Sequence, residues 1–186
     1  MQHSGTKTIE TERLILRQFR LEDAEDMYKN WASDEAVTRY LTWPTHDSVE
    51  TSREVLRMWT EGYASPDYYQ WCIEYKEAGE AIGSISIVNI NEKIDSVEVG
   101  YCISRKYWHQ GITTEAFRAL IPYLFHEVRV NRIEARHDRK NPWSGKVMEK
   151  CGLKKEGVKR MGDRNNTGIY DTIYYGIIKD EWQGNW

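Results

Sequence analysis

Cysteine, phenylalanine and proline are scarce in this chain, at three, three and four residues among 186. Cys72, Cys102 and Cys151 lie far apart, are odd in number and show no Cys-x-x-Cys spacing, which argues against a disulfide framework. They read as reduced, mostly buried residues. The five histidines are dispersed without metal-ligand spacing, so no metal is expected. No apolar run approaches the roughly 20 residues of a membrane helix. The polar start Met1-Gln2-His3-Ser4-Gly5 also lacks a signal-peptide core. The expectation is a cytoplasmic protein with no membrane partner. Neither sign of charge dominates: 26 Lys and Arg face 29 Asp and Glu, a formal net charge of -3. That balance argues against a nucleic-acid footprint and against a polybasic patch. No internal repeat or low-complexity tract is present.

Aromatic residues with a polar tip are plentiful instead, with eight tryptophans and twelve tyrosines, several of them where loops are expected. Such side chains suit pocket walls and interfaces, so they point to a binding cleft or a homodimer contact without choosing between them. The length fits one domain over residues 1–186, since domains commonly run roughly 100–200 residues. Residues 1–8 read as a frayed tail.

The chain is organised around residues 97–116. Their first part, Val97-Glu98-Val99-Gly100-Tyr101-Cys102-Ile103, alternates with period two, and a corner containing Gly111 leads into a helical pattern. A strand that delivers the chain into the amino end of a helix presents unpaired N–H groups and a positive dipole there. Such an end binds phosphate without a lysine.

Around this corner the alternation at residues 13–19 predicts a first strand, and Glu22-Asp23 opens a helix to about Trp31. Residues 33–47 form an aromatic loop, and Asp47-Ser48 starts a second helix that ends near Gly62. Strands over residues 69–75 and 81–90, joined by a turn at 77–80, make an antiparallel meander with the central strand. After the corner comes a largely buried helix in which Pro122 should produce a kink or mark the last turns. A short strand follows at residues 132–136. Asn141-Pro142 then opens a helix that stops at Cys151-Gly152. Strands at residues 153–160 and 169–178 flank a polar turn at 162–168. The fold class is mixed α/β (α+β), a mostly antiparallel sheet of about six to seven strands flanked by about four helices.

Four stretches carry a resemblance that spans nearly the whole chain. They are Thr11-Glu12-Arg13-Leu14-Ile15-Leu16-Arg17, Arg39-Tyr40-Leu41-Thr42-Trp43-Pro44, the central corner, and Asn141-Pro142-Trp143-Ser144 through Leu153. In this order they resemble the GNAT superfamily of N-acetyltransferases, and more narrowly the RimJ/RimL branch that acetylates the amino termini of ribosomal proteins. The resemblance implies acetyl-CoA as co-substrate and an amine acceptor. It places the family's pyrophosphate loop on Trp108-His109-Gln110-Gly111-Ile112-Thr113, with main-chain groups through Thr114 holding the phosphates. His109 and Thr113 are bulkier than the residues often carried there and crowd the loop.

By the same resemblance the backbone of the Tyr101-Cys102-Ile103 segment, chiefly at Tyr101 and Ile103, pairs with the pantetheine arm. Asn141 bonds that arm from the other side, and Ser144 lies near the thioester sulfur. Glu98, on the strand beside the thioester, is the candidate base. Ser144 then donates a hydrogen bond to the departing sulfur. Tyr40, Trp43 and His46 are candidate acceptor contacts, on loops at 31–47 and 162–170. Three acceptor readings stay open: a protein amino terminus, a small amine such as a polyamine, aminoglycoside or amino acid, or no acceptor at all in a non-catalytic acyl-CoA binder.

Overall fold

A computed structural model describes residues 1–184. Eight strands form one sheet in the order β1-β2-β3-β4-β5-β6-β8-β7. They are β1 (Ile9–Glu10), β2 (Leu14–Arg17), β3 (Gln70–Tyr75), β4 (Glu80–Asn91), β5 (Ser96–Ile103), β6 (Arg132–Asp138), β7 (Lys154–Asn165) and β8 (Gly168–Ile178). Every pairing is antiparallel except β5 with β6. The α-helices are α1 (Ala24–Met27), α2 (Glu35–Thr38), α3 (Val49–Gly62), α4 (Ile112–His126) and α5 (Pro142–Lys150).

Alternation along the strands sends side chains to two cores, one on each face of the sheet. On one face Leu14, Leu16, Trp71, Ile73, Val97 and Val99 pack with α4 residues such as Ala116, Phe117 and Leu120. On the other, Cys72 and Ala81 meet Phe19, Met27 and Trp31, with Leu56 of α3. Each helix is therefore held by its apolar face rather than by propensity.

Several expectations needed correction. The sheet has eight strands rather than six or seven, because Ile9 and Glu10 pair with β2. Residues 1–8 are not frayed. Gln2 N–H donates to the Val128 carbonyl, Gly5 N–H to the Pro66 carbonyl, and Trp71 Nε1 to the Lys7 carbonyl. Thr6 is buried beside them. The helix expected from residue 22 to 31 is broken into a 3-10 turn, the single turn α1 and a π-helical turn at Tyr28–Ala32. Its cause is local: Ser33 donates both its N–H and its hydroxyl to the Tyr28 carbonyl, five residues back. β7 runs on through Gly162 to Asn165, with register shifts and Met161 at φ 49° taking up the irregularity. Pro122, by contrast, stands in the last turns of α4, which ends at His126, one of the two outcomes expected for it.

One irregularity positions the site. Between Ile87 and Asn89 the β4 ladder skips a register, so Val88 is an extra residue opposite Glu98 and Val99 of β5. A bulge bends a strand and increases its twist. At the same level the parallel pairing of β5 with β6 stops, after Ser96–Arg132, Val97–Ile133 and Glu98–Glu134. Beyond it β5 follows β4 while β6 follows β8, and the two strands part.

Two buried imidazoles are held in this frame. His46 Nδ1 lies 2.8 Å from Ser52 Oγ. His137 Nδ1 lies 2.8 Å from the Asp138 carbonyl, under Gly145 of α5, where a Cβ would come within 2.6 Å of Nε2. Burial is the main cause that lowers both pKa values. The folded protein thus keeps neutral rings that the unfolded chain protonates at the ordinary value of about 6.5. Unfolding then takes up protons, so stability is present above that pH and is lost as the pH falls through the window below it. Thermal melts at stepped pH should show Tm dropping below about 6.5, with a smaller drop in a His137→Gln protein. A flat profile would mean that the rings take up protons alike in the folded and unfolded chain.

Candidate active site

Where β5 and β6 part, the exposed edge of β5 carries unpaired peptide groups. Ser104 N–H donates to the Ile82 carbonyl at 2.8 Å, so Ser104, Cys102 and Gly100 turn their peptide groups toward β4. Tyr101 and Ile103 therefore turn theirs into the cleft. Of the three residues expected along the coenzyme arm, Tyr101 and Ile103 thus present peptide groups to the cleft and Cys102 does not. The Cys102 main chain faces Ser84, its Sγ sits 3.4 Å from Ser84 Oγ, and burial pushes its thiol pKa up. An acyl-cysteine nucleophile is disfavoured by the same burial. The Ile103 carbonyl already accepts from Trp108 Nε1 at 3.1 Å, which leaves the Ile103 N–H and both Tyr101 groups facing the cleft.

A tight turn at Arg105–Tyr107 leads to the corner. Gly111 is the N-cap of α4 at φ 76°, a left-handed conformation natural to glycine, and the next N–H groups point out of the helix end. His109 also stands at positive φ, 61°, and its ring meets Trp143 edge-on at 4.4 Å. The crowding expected at His109 thus takes the form of a ring contact between the corner and the start of α5. Gln110 is fastened by its side chain to the Lys106 carbonyl, and Arg13 Nη1 donates to the Gln110 carbonyl at 3.2 Å. Ile112 is buried as the first anchor of α4, Thr113 is half-buried, and the Thr114 carbonyl accepts from Cys151 Sγ. Glu115 in the first turn takes hydrogen bonds from Thr11 and Arg13. These outweigh burial, which would raise its carboxyl pKa, and hold it below the usual range. Beside Gly111 opens a cavity of about 580 Å³ lined by Arg13, Arg118 and Lys150 together with Glu12 and Glu115, the last paired with Arg13. The donors at this helix end, with cations alongside, fit a diphosphate.

Across the cleft, Asn141 is the N-cap of α5 but makes no side-chain capping bond. Ser144 stands in the first turn. Its Oγ donates to the Tyr101 hydroxyl at 3.1 Å, while that hydroxyl donates to the Ser144 carbonyl at 2.8 Å. The Tyr101 side chain was not among the expected site groups, because no sequence spacing links it to Ser144.

Glu98, the last paired residue before the strands part, faces the side of the sheet away from α4. Its Oε1 lies 2.8 Å from Arg136 Nε, and Arg136 Nη2 lies 3.1 Å from Asp163 Oδ2. Burial raises the Glu98 pKa most. Arg136 opposes this, and the negative charges of Glu134 and Asp163 add to the rise. Arg136 and Asp163 are site residues that sequence reasoning missed, since only the β5–β6–β8–β7 order brings them to Glu98.

The loops at 31–47 and 162–170 do meet. Asn166 Nδ2 donates to the Thr38 carbonyl at 2.9 Å and to the Trp43 carbonyl at 2.8 Å, and its N–H donates to the Leu41 carbonyl at 3.1 Å. A cavity of about 490 Å³ lies here, lined by Glu35, Thr38, Arg39, Thr45, Asn166 and Thr167 among others. Trp43 packs on His46 with ring centroids 5.2 Å apart, and half-buried Tyr40 lies by Arg39. His46 is buried and bonded to Ser52, so its expected place as an acceptor contact is corrected: it packs the loop from within.

A family profile described as "Acetyltransferase (GNAT) domain" matches residues 13–154. The chain is 31% identical over 178 residues to p20, an uncharacterized N-acetyltransferase of Bacillus licheniformis, covering 96% of this chain and 99% of that one. It is 27% identical over 145 residues to the ribosomal-protein-serine acetyltransferase of Escherichia coli, covering 75% and 78%. A crystal structure of a GNAT-family acetyltransferase from Bacillus anthracis superposes with a TM-score of 0.82 at 25% identity, over 94% of this chain and 99% of that one.

A side chain at position 111 makes the left-handed turn unfavourable by roughly 1–2 kcal/mol. The empty loop relaxes to negative φ and must be forced back to form the phosphate nest. A Gly111→Ala protein should therefore bind acetyl-CoA about tenfold more weakly by calorimetry. Unaltered affinity would show that the nest forms without the left-handed turn.

Proposed function

The chain belongs to the GNAT acetyltransferase family, and from that premise we propose that its acceptor is the α-amine of a protein amino terminus, deprotonated by Glu98 in a ternary complex. The enzyme is an acetyl-CoA-dependent N-acetyltransferase. The bound thioester supplies an activated acetyl group whose sulfur is a competent leaving group.

The cluster at Glu98 carries this reading. Glu98 and Asp163 both pair with Arg136, and Glu134 close by pairs with Arg132 and accepts from Ser96, so three carboxylates stand against two guanidiniums and the region is net negative. Such a field attracts an ammonium acceptor. A protein α-amine has a pKa of roughly 8 against about 10.4 for lysine, so a fraction is neutral near pH 7 and the base has little to do. Glu98, with its carboxyl raised by burial, suits that modest task, directly or through one water. One cleft-facing N–H of the Tyr101–Ile103 segment serves as donor to the oxyanion that forms when nitrogen bonds to the acetyl carbon, and the other peptide groups of that edge pair with the coenzyme arm. As the C–S bond breaks, the Ser144 hydroxyl donates a hydrogen bond to the sulfur while the surplus amine proton goes to Glu98. Main-chain donors from His109 to Thr114, together with the Asn141 amide, hold the rest of the coenzyme.

The cavity between the two loops, taken as the acceptor pocket, suits a peptide better than a polycation. Its lining mixes Glu35 with Arg39 and adds the hydrogen-bonding side chains of Thr38, Thr45, Asn166 and Thr167. That lining suits peptide amides, whereas a polyamine needs several carboxylates in one pocket. The Escherichia coli relative is named for a ribosomal-protein serine, so a cytoplasmic ribosomal protein with amino-terminal serine is the acceptor of choice.

Thiol release from acetyl-CoA should be fastest with a short peptide bearing amino-terminal serine and slower with spermidine, an aminoglycoside or free amino acids. Preference for spermidine would overturn the peptide assignment, and affinity without turnover for any amine would make the protein a binder. In a Glu98→Gln protein kcat should fall about a hundredfold with acetyl-CoA affinity nearly unchanged. Since the base must be ionised, the wild-type rate should fall on acidification through the raised Glu98 pKa, and the substitution should remove that limb. Unchanged turnover would take Glu98 out of the mechanism.

A further inference from the structure

Ser144 and Tyr101 sit on opposite walls of the cleft, Ser144 in the first turn of α5 and Tyr101 on the free edge of β5. A serine hydroxyl has one proton to give. Here it points at the Tyr101 oxygen, 3.1 Å away, and the Tyr101 proton returns to the Ser144 main-chain carbonyl at 2.8 Å. One phenol therefore holds both the backbone and the side chain of the same residue. The phenol is itself fixed, with its ring packed on Phe117 of α4 at 5.8 Å.

We propose that Tyr101 is the positioning residue of the transfer, clasping Ser144 across the cleft and fixing where its hydroxyl stands. This rests on the reading of Ser144 as the donor to the leaving sulfur. The two bonds have different fates in the reaction. The bond from Tyr101 to the carbonyl persists and holds the first turn of α5 in place. The bond from Ser144 Oγ is exchanged: its proton turns from the phenol oxygen to the sulfur as negative charge gathers there, and returns once the thiol has left. No net proton is drawn from either residue, so the proton balance stays between the amine, Glu98 and the sulfur. A phenylalanine at 101 keeps the packing on Phe117 and removes both bonds.

The test is a double-mutant cycle with acetyl-CoA and a peptide bearing amino-terminal serine. Tyr101→Phe and Ser144→Ala should each lower kcat about tenfold, with KM for acetyl-CoA within about twofold of wild type. The double variant should be no slower than Ser144→Ala, because with no hydroxyl there is nothing left to place. Wild-type kcat in Tyr101→Phe, or two effects that multiply, would overturn the proposal. A second readout does not depend on that variant being active or folded. In protein labelled with 13C at tyrosine Cζ, one resonance should shift in Ser144→Ala and move again on adding acetyl-CoA. If no tyrosine resonance responds to Ser144→Ala, the clasp is absent and the proposal fails. A wild-type protein that transfers acetyl to no amine would instead overturn the underlying reading of Ser144, while the resonance would still report on the clasp.

Discussion

The parting of β5 from β6 is the constraint on which the site depends. Parallel strands that stayed paired to their ends would satisfy every peptide group between them and leave no edge to bind anything. Here the ladder lasts three residue pairs, and a bulge on the neighbouring strand sits level with its end. Each strand then follows its other neighbour. The unsatisfied main-chain groups on β5 are thus a consequence of sheet geometry and need no particular side chain, which is why the cleft wall can be read from register alone.

The same parting distributes the chemistry. Residues at odd positions of β5 point toward α4 and α5, where Tyr101 meets Ser144. Even positions point to the opposite face, where Glu98 meets Arg136. A period-two strand therefore places a carboxylate on one side of the sheet and a pair of hydroxyls on the other, three residues apart. The phosphate end is built differently, from a helix terminus and a left-handed glycine, and relies on main-chain N–H groups. Recognition at one end is thus tolerant of side-chain change, whereas at the other it depends on a few named groups.

How much of this the sequence revealed follows from the range of the interactions involved. The corner at Gly111, the Asn141-Pro142 start of α5 and the meander were legible because their signals lie within a few residues of one another. The break in the first helix was not, since it depends on Ser33 competing for the Tyr28 carbonyl. The extension of β7 was hidden because Gly162 reads as a turn, while the real turn lies at Asn165–Gly168. Arg136, Asp163 and the Tyr101 hydroxyl were invisible for a different reason: the first two reach Glu98 from other strands and the third meets a residue of α5, and the order of elements in space is not encoded in local pattern. The docked start of the chain escaped notice because its bonds are made mostly by backbone groups, which composition does not report.

Asn166 joins two loops more than a hundred residues apart through three hydrogen bonds to main-chain carbonyls. None of those carbonyls depends on the identity of the residue that carries it. The exposed side chains of Arg39 and Thr42 can therefore be exchanged without loosening the junction, whereas Thr38 is buried and bonded to Thr45, and a change at Asn166 removes two of the three bonds. The surface of that loop can thus drift while the Asn166 amide keeps the frame, so any redesign of the loop should begin with Asn166 left in place.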